Sequence, residues 1–174
     1  EGRAYHIPEK HISLNGDWKF FFSDTPEGIP SDFYKENFND KAWSLIPVPS
    51  NWEMQGYGDK LFRNVHAPFK ANPPFVPKEY NPASWENDQV FLRLEKVASA
   101  SFVWVNGQAI GYNEGAQEPA EYNITKYLKP GKNTVAIHVL KYSDGYYLEG
   151  QDYWRLAGIF DDVWLYATPS VRLF

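Results

Sequence analysis

The chain has 174 residues, 22 acidic and 17 basic, a formal net charge of −5, and no cysteine. That length suits one domain with its own core, and the mild negative charge without a basic run argues against nucleic acid or an anionic membrane as the main partner. No apolar run approaches the ~20 residues of a membrane helix, and without cysteine neither a disulfide framework nor a thiolate metal site can form.

Aromatic residues make up 18% of the chain and the mean hydropathy is −0.54, a combination that predicts many rings on short strands. Residues 1–12 carry no period and read as an N-terminal arm; residues 13–174 read as one domain. From Ser13 to Phe22 the apolar positions Leu14, Trp18, Phe20 and Phe22 end in alternation, which predicts an edge strand. Asp24 to Pro30 is turn chemistry, and Phe33 to Trp43 fits irregular chain with at most a helical turn. Ile46 to Val48 is a short strand closed by Pro49.

Residues 50–82 are dense in Pro, Gly, Asn and aromatics, so little regular structure is expected there, and a loop of that length is usually functional. Strand patterns return at Val90 to Leu94 and at Ser101 to Val105 and Ala109 to Tyr112. The last two flank Asn106-Gly107, a strong hairpin signal. Pro119 to Ile124 is a further strand, followed by a turn over Thr125 to Leu128. Thr134 to Tyr142 reads as a central strand with one wetter face, and Val163 to Ala167 completes the set. Short antiparallel strands at this spacing predict an all-β sandwich.

The densest chemistry lies in Ser143-Asp144-Gly145-Tyr146-Tyr147-Leu148-Glu149-Gly150-Gln151-Asp152-Tyr153-Trp154-Arg155, running into Gly158-Ile159-Phe160. Acids, amides, aromatics and glycines in one polar loop are the parts of a sugar site. Carboxylates and amides hold hydroxyls, rings cover the C–H face of a pyranose, and glycine lets the backbone approach. Asp144, Glu149 and Asp152 are the nearest set of acids to a glycosidase pair, which needs two carboxyl groups about 5 Å apart. Acids in a loop more often bind hydroxyls, a cation or backbone amides, so this chain by itself is not expected to be catalytic. Arg155 and Glu149 are expected to form an ion pair that orders the loop, and Trp154 and Trp104 to lie in the core. His6, His11, His66 and His138 lack metal-ligand spacing, so no zinc site is expected. Asn123-Ile124-Thr125 has the form of a glycosylation acceptor but reads as a strand end entering a turn. Glu114 to Glu118 reads as a solvated loop by default, with the lining of a binding groove as the alternative.

The Asp144 to Phe160 segment resembles the motif of family 2 glycoside hydrolases, the β-galactosidase group, in their N-terminal sugar-binding domain. Further pieces of similar sequence occur in the same order: Leu14-Asn15-Gly16-Asp17-Trp18-Lys19-Phe20, Val48-Pro49-Ser50-Asn51-Trp52-Glu53, Asn64-Val65, Asn72-Pro73-Pro74-Phe75-Val76-Pro77, and Val105-Asn106-Gly107 with Gly111-Tyr112. The resemblance implies a jelly-roll sandwich that leans on a separate (β/α)₈ barrel, where the catalytic glutamates lie. It implies that Asp152 contacts substrate hydroxyls and helps hold a monovalent cation, Na⁺ or K⁺, with Mg²⁺ nearby in some relatives, and that Asn64 reaches the same pocket. The implied partners are a β-galactoside and the barrel of the same polypeptide, in a parent that is a homo-oligomer.

Three departures stand out. Ala67 takes the place of a tyrosine that commonly precedes Pro68, and Asp161 the place of an arginine after Gly-Ile-Phe. Family members also usually carry a strand of about a dozen residues after the equivalent of Asn81-Pro82, whereas here Ala83 follows directly. Losing a strand would open two sheet edges, so Pro82 and Ala83 are expected not to be neighbours in the intact protein. Three readings are open from sequence: a sugar-binding domain completing a barrel's pocket, a stand-alone carbohydrate-binding module, and a structural brace. The chain starts at Glu1 without an initiator Met, as a processed or trimmed product would. The expected setting is soluble and bacterial, with cytoplasm and periplasm both open.

Overall fold

The computed structural model describes residues 10–60, 85, 87–148 and 154–170. Twelve strands account for nearly all the regular structure: β1 (His11–Ser13), β2 (Gly16–Phe20), β3 (Ser44–Val48), β4 (Ser50–Asn51), β5 (Asp88–Leu94), β6 (Val97–Ala98), β7 (Ala100–Val105), β8 (Gln108–Asn113), β9 (Ala120–Asn123), β10 (Val135–Leu140), β11 (Gly158–Ile159) and β12 (Val163–Pro169), with one short helix, α1 (Asp144–Leu148). Among the described residues they form a four-stranded sheet, β1-β12-β5-β9, two three-stranded sheets, β10-β7-β8 and β4-β11-β6, and the pair β2-β3. Every pairing is antiparallel. This is the all-β sandwich that short alternating strands predict.

The core follows from period-two alternation. Leu92 and Leu94 of β5, Val103 and Val105 of β7, and Val163 of β12 are completely buried and form one cluster with Val97 and Ile124. Between the buried positions of β7, Phe102 is exposed and Trp104 is half-buried. Trp104 therefore does not belong to the core as expected. It faces outward from β7, where Tyr34 stacks on it at 5.2 Å between ring centres and Phe33 meets it edge-on. The segment carrying those two rings is a run of single turns, with Phe33, Lys35, Phe38 and Trp43 each donating to the carbonyl three residues back.

The hairpin at Asn106-Gly107 forms as expected, with φ of 49° and 79° supplying the left-handed conformation that a two-residue connection needs. Ser143 accepts the Tyr146 amide through both its carbonyl and its hydroxyl, which starts α1 inside the segment read as irregular loop. Strand β1 begins at His11, within the segment read as an arm, and His11 pairs with Tyr166. At Asn123-Ile124-Thr125 the Asn123 Oδ1 accepts from both the Thr125 amide and hydroxyl, while Ile124 is buried: the turn reading holds.

One strand sits differently from its expectation. Residues of β10 alternate as a central strand would, yet β10 is the edge of the β10-β7-β8 sheet among the described strands. All six of its residues are only half-buried. Ile137 and Val139 of β10 line a cleft of about 680 Å³ together with Trp18, Phe20 and Phe22. The alternation fixes which side chains point inward but not whether a neighbour exists on each edge.

Candidate functional site

The motif-bearing segment leaves β10 at Lys141 and rejoins the sheet at Ala157, just before β11. Its return is fixed by backbone pairing: Gly158 and Ile159 lie between β4 and β6. The Trp52 amide donates to the Ala157 carbonyl at 3.1 Å, and Asn51 Nδ2 reaches the same oxygen at 3.4 Å. A single carboxylate joins departure and return. Glu53, completely buried, accepts the Ala157 amide on Oε2 at 3.0 Å. Lys141 Nζ stands 2.8 Å from Glu53 Oε1. That approach is an ion pair whose direction leaves Oε1 without an aligned hydrogen bond among the described residues. The ammonium also donates to the Asp59 carbonyl at 2.9 Å.

Above these stems, α1 is held from two sides. The Gly145 amide donates to Glu114 Oε1 at 3.2 Å, and Tyr112 donates its hydroxyl to Glu114 Oε2 at 2.8 Å. Those bonds, the tyrosine's first, draw the Glu114 carboxyl below the usual carboxylate range. Desolvation, then the bond to Glu114, pushes the Tyr112 phenol up. A Cβ at Gly145 would fall 2.8 Å from the Glu114 carbonyl oxygen, so the close seat of α1 requires glycine. From the return side, Arg155 donates to the Tyr146 carbonyl and places its guanidinium 4.3 Å from the centre of the Tyr146 ring. Tyr142 meets the same ring edge-on at 4.8 Å. Leu148 is 85% exposed and Trp154 is 42% exposed, so both flanks of the segment open to solvent.

Asp152 and Asn64, the two expected substrate residues, lie outside the described residues, as do Glu149 and the Pro82–Ala83 junction. The Arg155 contacts described are to Tyr146. Trp154 is a correction: expected in the core, it stands at the surface beside the loop. A tryptophan between Tyr153 and Arg155 has no alternating neighbours to fix its side, and β11 starts only at Gly158. Asp144 opens α1, and Asp161 pairs with Lys96 at 3.4 Å and accepts the Asp162 amide, so its carboxylate is used within the domain. His138 is half-buried against Phe33 and Phe102, and burial lowers its pKa. Among the described residues, no three His, Cys, Asp or Glu side chains group as a metal site would, and no helix is long and apolar enough to cross a membrane. Sequence reasoning placed Glu53 in a family-like piece and Glu114 in a loop, but missed that both anchor the motif segment. Nothing in Asn51-Trp52-Glu53-Met54 marks its acid as buried; only the neighbouring tryptophan hints at a covered turn.

A β-sandwich whose motif segment is anchored at both stems and exposes Leu148 and Trp154 has the form of an accessory binding domain. Residues 11–169 match the model of the glycosyl hydrolases family 2, sugar binding domain, and the chain belongs to that family. Curated relatives include the Beta-galactosidase of Priestia megaterium, 41% identical over 93% of this chain, and those of Photobacterium profundum and Vibrio vulnificus, both 44% identical over 94%. The chain spans only 17% of each of these relatives. The Priestia alignment runs over 177 positions while covering 93% of a 174-residue chain, so it includes positions where the relative has residues and this chain has none. Solved structures of the same fold include a Bacteroides uniformis β-glucuronidase, with a TM-score of 0.64, 22% identity, and coverage of 92% of this chain and 18% of that one. A Ruminococcus gnavus β-glucuronidase in complex with uronic deoxynojirimycin gives a TM-score of 0.68 at 21% identity, covering 95% of this chain and 31% of that one.

Proposed function

We propose that this chain is the sugar-binding domain of a larger retaining β-galactosidase and completes the galactoside pocket of a separate catalytic barrel. The observation that carries the reading is the loop between Lys141 and Ala157. Its stems are locked by Glu53 while its flanks, Leu148 and Trp154, face solvent, as a surface reaching into a neighbour's pocket requires. In this reading Asp152 accepts hydrogen bonds from sugar hydroxyls and is this chain's ligand to a Na⁺ or K⁺ ion, with Mg²⁺ further off, while Asn64 both donates and accepts at the same pocket. The two carboxyl groups that cleave the glycosidic bond belong to the barrel. The barrel of the same polypeptide and a second copy of the whole enzyme are the proposed partners.

The test is hydrolysis of a chromogenic β-galactoside by the full-length protein and its Asp152→Ala and Asn64→Ala variants. Activity that survives both changes at unaltered KM removes the two residues from the pocket. Failure of the parent to hydrolyse the galactoside, with turnover of a β-glucuronide or β-mannoside instead, shifts the substrate while keeping the architecture.

A second reading, a module that holds sugar unaided, is favoured by the exposure of Tyr142 (56%) and Trp154 (42%), since open rings are what a pyranose face stacks on. Titrating galactose into the isolated 174-residue chain separates the two. Binding at millimolar sugar or tighter, lost in Trp154→Ala, supports the module; no binding supports the shared pocket.

A further inference from the structure

We propose that Glu53 is a positioning residue for the site loop: its buried carboxylate sets the spacing of the loop's two stems and so the seat of α1 between them. The proposal rests on the galactosidase reading only for its kinetic readout. Glu53 is fully covered, so it cannot touch a substrate. Its two oxygens point to the two ends of one segment. Oε2 takes the Ala157 amide where the loop returns, and Oε1 faces the Lys141 ammonium where it leaves. The turn that carries Glu53 adds the Trp52 amide and Asn51 Nδ2, both directed at the Ala157 carbonyl. Residue 157 is thus gripped through both of its backbone groups by residues 51–53. On the other stem, Ser99 reinforces the hold, donating its hydroxyl toward the Leu140 and Lys141 carbonyls and accepting from the Ser143 hydroxyl.

Energetics argue that this pair is there for geometry. Taking a carboxylate and an ammonium out of water is costly before their mutual attraction offsets it, and well-packed apolar residues commonly replace such pairs without loss of stability. An apolar pair would fill the space here, beside Trp52 and Ala157, but could not accept the Ala157 amide. What the charges add is direction: one acceptor for a particular backbone N–H and one counterion on a particular strand end.

The experiment compares Glu53→Gln, Lys141→Met and the double variant Glu53→Leu/Lys141→Met in the full-length protein. Hydrogen exchange is followed in segments containing Ala157, Gly145 and, as a control, Leu92 and Leu165, together with KM and kcat for p-nitrophenyl β-galactoside. In the double variant the buried Ala157 amide loses its acceptor, so the expected result is a modest fall in melting temperature, roughly 2–10 °C. Exchange should be at least about tenfold faster at Ala157 and Gly145, control segments unchanged, and KM raised more than kcat is lowered. Glu53→Gln, which keeps an acceptor for Ala157, should restore most of the protection and most of the KM. Exchange that rises equally in all segments makes Glu53 a general stabiliser and overturns the proposal. So does a double variant with normal protection at Ala157 and normal KM. If the wild-type protein does not hydrolyse the galactoside, the galactosidase reading fails, while the exchange pattern still decides the role of Glu53.

Discussion

A Cβ on Gly158 would stand 2.5 Å from the Ser50 carbonyl oxygen, and the φ of +131° at Gly158 is a conformation that other residues rarely adopt. Strand β11 therefore lies against β4 with no space for a side chain, and the loop's return depends on that contact. Gly158→Ala is expected to cost about 3 kcal/mol from backbone strain and overpacking together. For a chain of this size that lowers the melting temperature by roughly 6–12 °C. Thermal denaturation followed by circular dichroism checks it, and a shift under about 2 °C would mean that β11 moves aside at little cost.

Asn106 holds three segments together from one hairpin position. Its Oδ1 accepts the Thr134 amide at 2.9 Å, and its Nδ2 donates to the Tyr127 carbonyl at 2.8 Å and to Asn133 Oδ1 at 2.7 Å. Its φ of 49° adds a conformational demand. Asn106→Gly removes the bonds and keeps the conformation, so it should cost about 2 kcal/mol. Asn106→Ala removes both and should cost about 1 kcal/mol more. Equal losses in urea denaturation of the two variants would show that the left-handed conformation carries no strain.

How much of this was legible in the sequence depended on whether a residue's role was local. Asn106-Gly107 sets its turn through its own φ angles, and β7 was visible because burial on one face imposes alternation, while β5 and β12 were visible as apolar runs that also bury Phe91 and Tyr166 on their second face. The two-residue strands β4, β6 and β11 were not, since two residues hold no period. The edge position of β10 depends on which strands lie beside it, and alternation within 135–140 is the same either way. The outward turn of Trp154 and Trp104 escaped for a related reason: large apolar rings suit a core equally well, and only the positions of Tyr34 and of the loop decide. In the site, the acids and rings of 143–155 were visible as a composition, whereas their anchors, Glu53 and Glu114, lie about 90 and 30 residues away in sequence from the loop they hold. Long-range partners of this kind become visible only once the chain is folded.

His138 makes stability depend on pH in the mildly acidic range. Burial between Phe33 and Phe102 lowers its pKa below the ordinary 6.5, so the unfolded chain takes up the proton first. A group that binds more protons when unfolded favours unfolding as pH falls. Its destabilising effect is absent above 6.5 and grows as pH drops through 6.5 toward the folded-state value. Comparing wild type with His138→Gln by urea denaturation at about pH 7.5 and about pH 5.5 should show wild type losing more stability than the variant. Parallel losses would mean that the imidazole titrates as freely in the folded domain as in the unfolded chain.

Glu114 titrates in the opposite sense and reports on α1 directly. The Tyr112 hydroxyl and the Gly145 amide favour its ionised form and hold its pKa below the ordinary 4.5. A carboxylate with a depressed folded-state pKa contributes its hold above the unfolded value and loses it as pH falls through the folded one. The seat of α1 should therefore persist at pH 4.5 and loosen only in more acid solution. In an NMR titration the Gly145 amide shift should move with a midpoint below 4.5. Tyr112→Phe, which removes the largest of the stabilising bonds, should bring that midpoint up toward the ordinary value, and Glu114→Gln should flatten the curve. A Gly145 titration left unchanged in Glu114→Gln would mean that another acid controls the helix, and Asp144, at its first position, would be the residue to vary next.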